Sequence, residues 1–495
     1  MIKHQRMKPR SLILVTVDCL RADHVGFLGY SRPVTPFLDS LAEKSAVFTD
    51  AIVAGAPTYF SFPAILASRY PLALGRDILG IAPHEQTIAS ALKNAGHRTA
   101  AFVAGNPYLS SRFGYNQGFD SFHDFLNSIP DGEPLSPGNG FKSTFNRFVQ
   151  SSASHNSLTA DAYEELYFWY CQWRSAAEGF SMDALRRYPA ADVVVDQACS
   201  WLNELAKEPF FLWLHLMDPH HPYYPSGDAL SALKSKISPR RAVFLNSLWN
   251  RGHVAVRRLE RYREEVVSLY DAGIYWVDKQ ISRLAGFLKQ SQFWDELVFA
   301  ITADHGEEFL EHGARYHSPM SLPEQLIHVP LLLHVPALLG KQRVRTPFSL
   351  LHLAPTLLDA VGLPSPTSFQ GRSFWPRIFT GELPSEPAVV ECVEACTNPL
   401  RREDRIRPRL MAVRDQSYKL VINFREESER LYDLKNDPEE RAALPLGDLP
   451  KERARLLQVA REHLQKTSRN LTVDLRLRSR LRELQQSAEL KARVL

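Results

Sequence analysis

Cysteine is scarce in this chain, and what there is does not pair up: Cys19, Cys171, Cys199, Cys392 and Cys396 are 5 residues scattered over 495. An odd, unclustered set does not build the disulfide framework of a small secreted fold, and Cys392 with Cys396 lacks the second pair that a structural zinc site needs. Long apolar runs are missing as well. No stretch approaches about eighteen uninterrupted apolar residues, so no membrane span is expected. The basic start (Lys3, His4, Arg6, Lys8, Arg10) leads into an apolar run that is cut by Asp18 and followed by no small-residue cleavage site. That argues against a signal peptide and makes the cytoplasm the expected location. Net charge is only +4, which implies no general or specific affinity for nucleic acid. No internal repeat is present.

What the chain does have is enough apolar material, 44% over 495 residues, to bury more than one core. Strand-like runs at 11–17, 98–104, 209–216, 297–302 and 329–335 alternate with helix-like segments at 36–45, 85–95, 190–206 and 260–289. Such alternation predicts an α/β fold with a mostly parallel sheet covered by helices on both faces. Residues 127–158, rich in Ser, Asn, Pro and Gly, read as a loop or lid, and the polar, helical segment 226–262 as a cover for a site. Prolines 364, 366, 376, 384 and 387 suggest a boundary that divides the chain into 1–375, 376–450 and a basic helical tail over 451–495. In that tail Arg453, Arg455, Arg461, Arg476, Arg478, Arg480 and Arg482 accompany leucines at helical spacing, which predicts solvated amphipathic helices.

Chemistry concentrates at three places. Residues 302–313, Thr-Ala-Asp-His-Gly-Glu-Glu-Phe-Leu-Glu-His-Gly, follow the apolar run Leu297–Ile301 and bring Asp304, His305, His312 and nearby His317 to a strand end. Ligands bind at the carboxyl ends of strands in open α/β sheets. Asp18 follows the run Ser11–Val17 in the same way. Two carboxylates about 4 Å apart repel by roughly 4 kcal/mol at an effective dielectric of about 20, and a divalent cation between them reverses the sign. The third place is 56–71, where Thr58 and Ser61 precede Pro63, read as the first turn of an apolar helix. There the hydroxyls would sit beside free amides that favour an anion.

In order along the chain these segments resemble the sulfatase family, within the alkaline-phosphatase-like superfamily, over roughly residues 11–440. The likeness also includes Thr35-Pro36-Phe37-Leu38-Asp39, Gly96-His97-Arg98-Thr99-Ala100, Phe210 to Tyr223 with its His220-His221-Pro222, Ala354-Pro355-Thr356-Leu357-Leu358-Asp359 and Leu431-Tyr432-Asp433-Leu434. It implies a large mixed, mostly parallel sheet flanked by helices, with a smaller C-terminal antiparallel sheet, and it implies one divalent metal, calcium by the family's habit. Ala67-Ser68-Arg69-Tyr70-Pro71 resembles the stretch that closes the family's nucleophile motif, and counting back from it puts Thr58 on the nucleophile and Ser61 on the motif's serine. Threonine is not converted to formylglycine, and superfamily members with a threonine nucleophile typically act on phosphate esters.

The resemblance therefore implies Asp18, Asp304 and His305 as metal ligands and Thr58, His220 and His317 as catalytic residues. His312, Ser61 and Asn106 are read as substrate-binding. His215 is read as packing within its buried strand. Cys19 stands where the family often carries a second Asp, and a soft thiolate admits manganese or zinc as the metal. The family's Gly-Lys-Trp-His segment is replaced by Ala104-Gly105-Asn106-Pro107-Tyr108. The expected partner is a small-molecule or glycan sulfate or phosphate ester, hydrolysed by unmodified Thr58. Three alternatives stay open: formylglycine at Ser61, phosphoryl-group transfer from Thr58, and a degenerate fold that only binds an anion.

Overall fold

The computed structural model describes residues 11–126, 169, 181–205, 208–252, 254–336, 340–380, 383–445 and 447–470. The expected lid at 127–158, Cys171, the basic start and the arginines beyond 470 lie outside them.

Parallel strands buried on both faces read as continuous apolar runs. Three such runs form the middle of the main sheet: β1 (Ser11–Val17), β5 (Phe210–Leu216) and β6 (Leu297–Ala303). β1 lies between the other two and is parallel to both, with Thr16 level with His215 on one side and Thr302 on the other. Beyond β5 come β3 (Arg98–Val103) and β4 (Ser121–His123), both parallel. Beyond β6, β9 (His328–His334) runs antiparallel and pairs with β2 (Ala46–Ile52), whose far edge carries β10 (Gln342–Val344) and β11 (Phe348–Ser349). The sheet is thus mixed and mostly parallel, as expected. Its second strand was not foreseen, because Ala46-Val47-Phe48-Thr49-Asp50-Ala51-Ile52 carries polar residues in mid-strand and a register shift between Phe48 and Ala51. It also ends the preceding helix early, at Ala42 rather than residue 45.

The helix Arg263–Gln290 buries Leu269, Tyr270, Gly273, Ile274, Val277, Ile281, Leu284 and Leu288 along one stripe. A Cβ on Gly273 would meet Asp218 O at 2.6 Å, so this glycine lets the helix approach the loop after β5. The segment expected to be polar and helical forms Gly227–Ala232, Pro239–Trp249 and Val256–Glu260, and its Asn246 clamps both backbone groups of Tyr223.

A second, antiparallel sheet follows in order β12 (Ala388–Val393), β13 (Arg409–Arg414), β14 (Tyr418–Asn423) and β15 (Ser428–Asp433). One face meets Leu456 and Ala460 of the helix Pro450–Asn470, and on the other Val390, Cys392, Leu410 and Ala412 join the main core. The small sheet therefore has no separate core of its own on that side. The first part of the expected solvated tail is likewise a packed helix, held by the buried pair His463 and Glu391.

Candidate active site

Four neighbouring strand ends deliver the polar groups. Asp18 and Cys19 follow β1, Asp304 and His305 follow β6, His220 and His221 follow β5, and Asn106 follows β3. Gly306 lets the loop after β6 approach the backbone at Gln325, since a Cβ there would lie 1.9 Å from Gln325 O. The loop after β1 is pinned by Tyr270, whose hydroxyl donates to Cys19 O at 2.7 Å and accepts from Arg21 N at 3.0 Å.

At the centre, His305 Nε2 lies 3.7 Å from Asp18 Oδ1 and 3.6 Å from Asp304 Oδ2. Thr58 Oγ1 is 3.0 Å from the same nitrogen. His305 Nδ1 faces Gly306 O at 2.8 Å, and a carbonyl can only accept, so Nδ1 carries a hydrogen and in the neutral ring Nε2 is the acceptor. Burial opposes charging His305, but Asp304 and Asp18 outweigh it and push its pKa up. Burial would raise the Asp18 carboxyl too, yet His220, His215 and His305 hold it well below the usual range. Asp304 goes the other way, pushed up by burial and by Asp18.

Asp304 Oδ2 is buried with no hydrogen-bond partner among the described residues. An orphaned carboxylate oxygen facing a second buried carboxylate and an imidazole lone pair is a donor set that a divalent cation fits. Asp18, Asp304 and His305 would hold it, with Thr58 Oγ1 beside them.

A family model described as Sulfatase matches residues 10–363, and one described as N-sulphoglucosamine sulphohydrolase, C-terminal, matches residues 311–467. The chain belongs to the sulfatase family. Arylsulfatase K of Canis lupus familiaris is 28% identical over 209 residues, which span 37% of this chain and only 38% of that protein. A sulfatase of Formosa agariphila is 23% identical over 373 residues, 71% of this chain and 69% of the other. Among solved structures, the phosphonate monoester hydrolase of Agrobacterium radiobacter superposes with a TM-score of 0.65 at 17% identity, covering 93% of this chain and 96% of that one. A protein in complex with its substrate D-glucosamine-2-N,6-O-disulfate gives 0.65 at 18%, covering 94% and 99%.

Within this sulfatase fold the expected residues fall into three groups. Asp18, Asp304, His305 and Thr58 converge as described. His220 and His317 stand next to them, their rings 5.1 Å apart and the His317 ring 4.7 Å from that of His305. Burial, then His305 and His220, push the His317 pKa well down. The remaining expectations are redirected. His312 has both ring nitrogens engaged away from the cluster, Nδ1 3.4 Å from Glu308 Oε1 and Nε2 2.9 Å from Glu439 O. Asn106 donates to Asp18 Oδ2 at 3.0 Å and caps a short helical turn with its other oxygen, so it positions a carboxylate.

The helix carrying the hydroxyls begins at Thr58, capped by Pro57, and Pro63 lies inside it rather than at its start. Thr58 is thus the first helical residue, whereas Ser61 sits a turn further in, fully buried with no partner for its Oγ among the described residues. Arg69 of the closing motif is used structurally, on Glu85 and on Gly80 O.

Two neighbours of the cluster, His215 and Glu307, were not among the expected site residues, and Cys19, already noted beside Asp18, lies next to it. His215 does pack within β5, but its Nε2 reaches Asp18 Oδ2 at 3.2 Å while Nδ1 meets Thr16 Oγ1 at 3.0 Å. Only the register of β1 against β5 reveals this. Glu307 is fully buried and takes a hydrogen bond from Tyr223 at 3.1 Å, and burial pushes its pKa up to about 7. Cys19 donates to Asp18 Oδ1 at 3.1 Å and lies 3.5 Å from His317 Nδ1.

Proposed function

We propose that this sulfatase-family chain is a metal-dependent hydrolase of sulfate- or phosphate-type esters that uses unmodified Thr58 as its nucleophile. The observation that carries the reading is the 3.0 Å approach of Thr58 Oγ1 to His305 Nε2, with the Asp18 and Asp304 carboxylates within 3.7 Å of that nitrogen. A free hydroxyl is a weak nucleophile. A divalent ion held by Asp18, Asp304 and His305 would lower the cost of its anion and draw charge from the ester's nonbridging oxygens.

The chain's own residues do the rest. The first turn of the helix Thr58–Ala67 presents the hydroxyl, and Asn106 and His215 fix the Asp18 carboxylate by bonding its Oδ2. Thr58 Oγ1 bonds to the central sulfur or phosphorus as the ester's alcohol oxygen leaves, and the proton lost by Thr58 ends on that alcohol. Water then attacks the same central atom and returns a proton to Thr58.

The structural neighbours suggest the range of substrate: one is named for phosphonate monoesters and another was solved with a disulfated glucosamine. The test is turnover of aryl sulfate, aryl phosphate and aryl phosphonate by Thr58→Ala and Ser61→Ala, together with the mass of the peptide carrying both residues. Thr58→Ala should lose at least about 10³-fold in kcat, on the scale of removing a catalytic nucleophile, and Ser61→Ala far less. Loss of two hydrogens at Ser61 would instead make formylglycine the nucleophile.

A further inference from the structure

Beside the Asp18–Asp304–His305 group lies a second set of ligating atoms with a different chemistry. Cys19 Sγ, a nitrogen of His220 and a nitrogen of His317 all lie within 4.8 Å of one another, and His221, Glu307 and His317 form an overlapping group at the same spacing. We propose that Cys19, His220, His317 and Glu307 make a second divalent-cation site, suited to zinc-like ions, adjoining the first.

The distances carry this. Cys19 Sγ is 3.5 Å from His317 Nδ1, and the same Nδ1 is 3.2 Å from Glu307 Oε1. On one tetrahedral zinc, with Zn–S about 2.3 Å and Zn–N or Zn–O about 2.05 Å, the S···N edge is about 3.6 Å and the N···O edge about 3.4 Å.

The surrounding structure prepares each ligand. His220 Nδ1 is bonded to His221 O, which can only accept; its Nε2 therefore keeps a lone pair. Ligating imidazoles characteristically donate their other N–H to a carbonyl in this way. Cys19 adopts φ 61, a left-handed conformation strained for a residue with a Cβ, directly after β1. That backbone turn puts Sγ among the imidazoles. Glu307 is fully buried, and among the described residues its ion-pair partner is His317 alone. The first set holds two carboxylates and one imidazole, whereas the second holds a thiol, two imidazoles and one carboxylate, a difference that favours a softer cation at the second.

The inference shares its location with the hydrolytic reading and does not depend on which hydroxyl attacks. The full chain is stripped with chelator and reloaded with cobalt(II), and ions per chain are counted while the near-ultraviolet thiolate-to-cobalt band is recorded. The wild type should hold two ions and show the band. Cys19→Ser and His317→Ala should each lose the band and bind the second ion at least tenfold more weakly, with unchanged circular dichroism. Asp304→Asn should lose one ion and keep the band. Persistence of the band in His317→Ala would assign Cys19 to the first site and overturn the proposal. So would one ion per wild-type chain without a band, a result that needs no variant to fold and leaves the hydrolase reading intact. No bound ion at all would overturn both.

Discussion

Replacing Asp304 by Asn should change the sign of its effect on stability according to whether the cation is present. One ligand oxygen of Asp304 lies within 4.8 Å of one of Asp18, both side chains buried, and two unit charges at that separation repel by roughly 3–4 kcal/mol at an effective dielectric of about 20. The wild type escapes part of this by keeping a proton on Asp304, whose pKa is pushed up by burial and by Asp18. The net relief in Asp304→Asn under chelator should then be about 1–3 kcal/mol, or roughly 2–6 °C in melting temperature at about 2 °C per kcal/mol. Because a raised carboxyl pKa destabilises the folded state as pH climbs above the ordinary aspartate value, the advantage should shrink as pH falls towards that value. With the ion at about a hundred times its dissociation constant, the wild type gains about 2.7 kcal/mol by mass action, and the variant, lacking a ligand, should gain little. Thermal melts by circular dichroism of both proteins, in chelator and in calcium, a cation the thiol-containing set does not favour, give the four numbers needed. A variant less stable than wild type in chelator, with an equal shift on adding metal, would refute the reasoning.

His215→Ala removes the imidazole that bonds Asp18 Oδ2 and should weaken metal binding about 10–100-fold, the usual cost of losing an outer partner, as measured by titration with the ion. The Thr58 side chain should be unaffected in mass and in accessibility. Burial would raise the pKa of Glu391, but Arg409 and His463 bring it down to about 2 from an ordinary 4.5. Its contribution, about 3 kcal/mol for a gap of that size, is present above about pH 4.5 and lost as pH falls through about 2. Glu391→Gln should be less stable at pH 7 and show a flatter acid limb in denaturant titrations between those values.

Much of the fold could be read from the chain because its central strands are unbroken apolar runs, and such runs end where polar residues begin. Asp18, Asp304 and His305 were legible for that reason. Thr58 was legible through the register of the Ala67–Pro71 stretch, although its helix begins five residues earlier than Pro63 suggested, a displacement set by Pro57 as the cap. His215 was not legible, because inside Phe-Phe-Leu-Trp-Leu-His-Leu nothing distinguishes a packed imidazole from one aimed at the next strand's carboxylate. Glu307 stands inside Asp-His-Gly-Glu-Glu with no local pattern to mark it as buried, and its partner Tyr223 is distant in sequence. His312 shows the opposite error. Nearness in sequence to Asp304 suggested a shared pocket, whereas the turn between β7 (Glu308–Phe309) and β8 (Arg315–Tyr316) points it at Glu308 and Glu439.

The most direct measurement is acid quenching of the full, metal-loaded chain during turnover of an aryl phosphate or aryl sulfate, followed by peptide mass mapping. A phosphoryl or sulfo group found on Thr58, and absent from Thr58→Ala, is the predicted result. Turnover with that group on Ser61, or with Thr58→Ala fully active, would contradict the account.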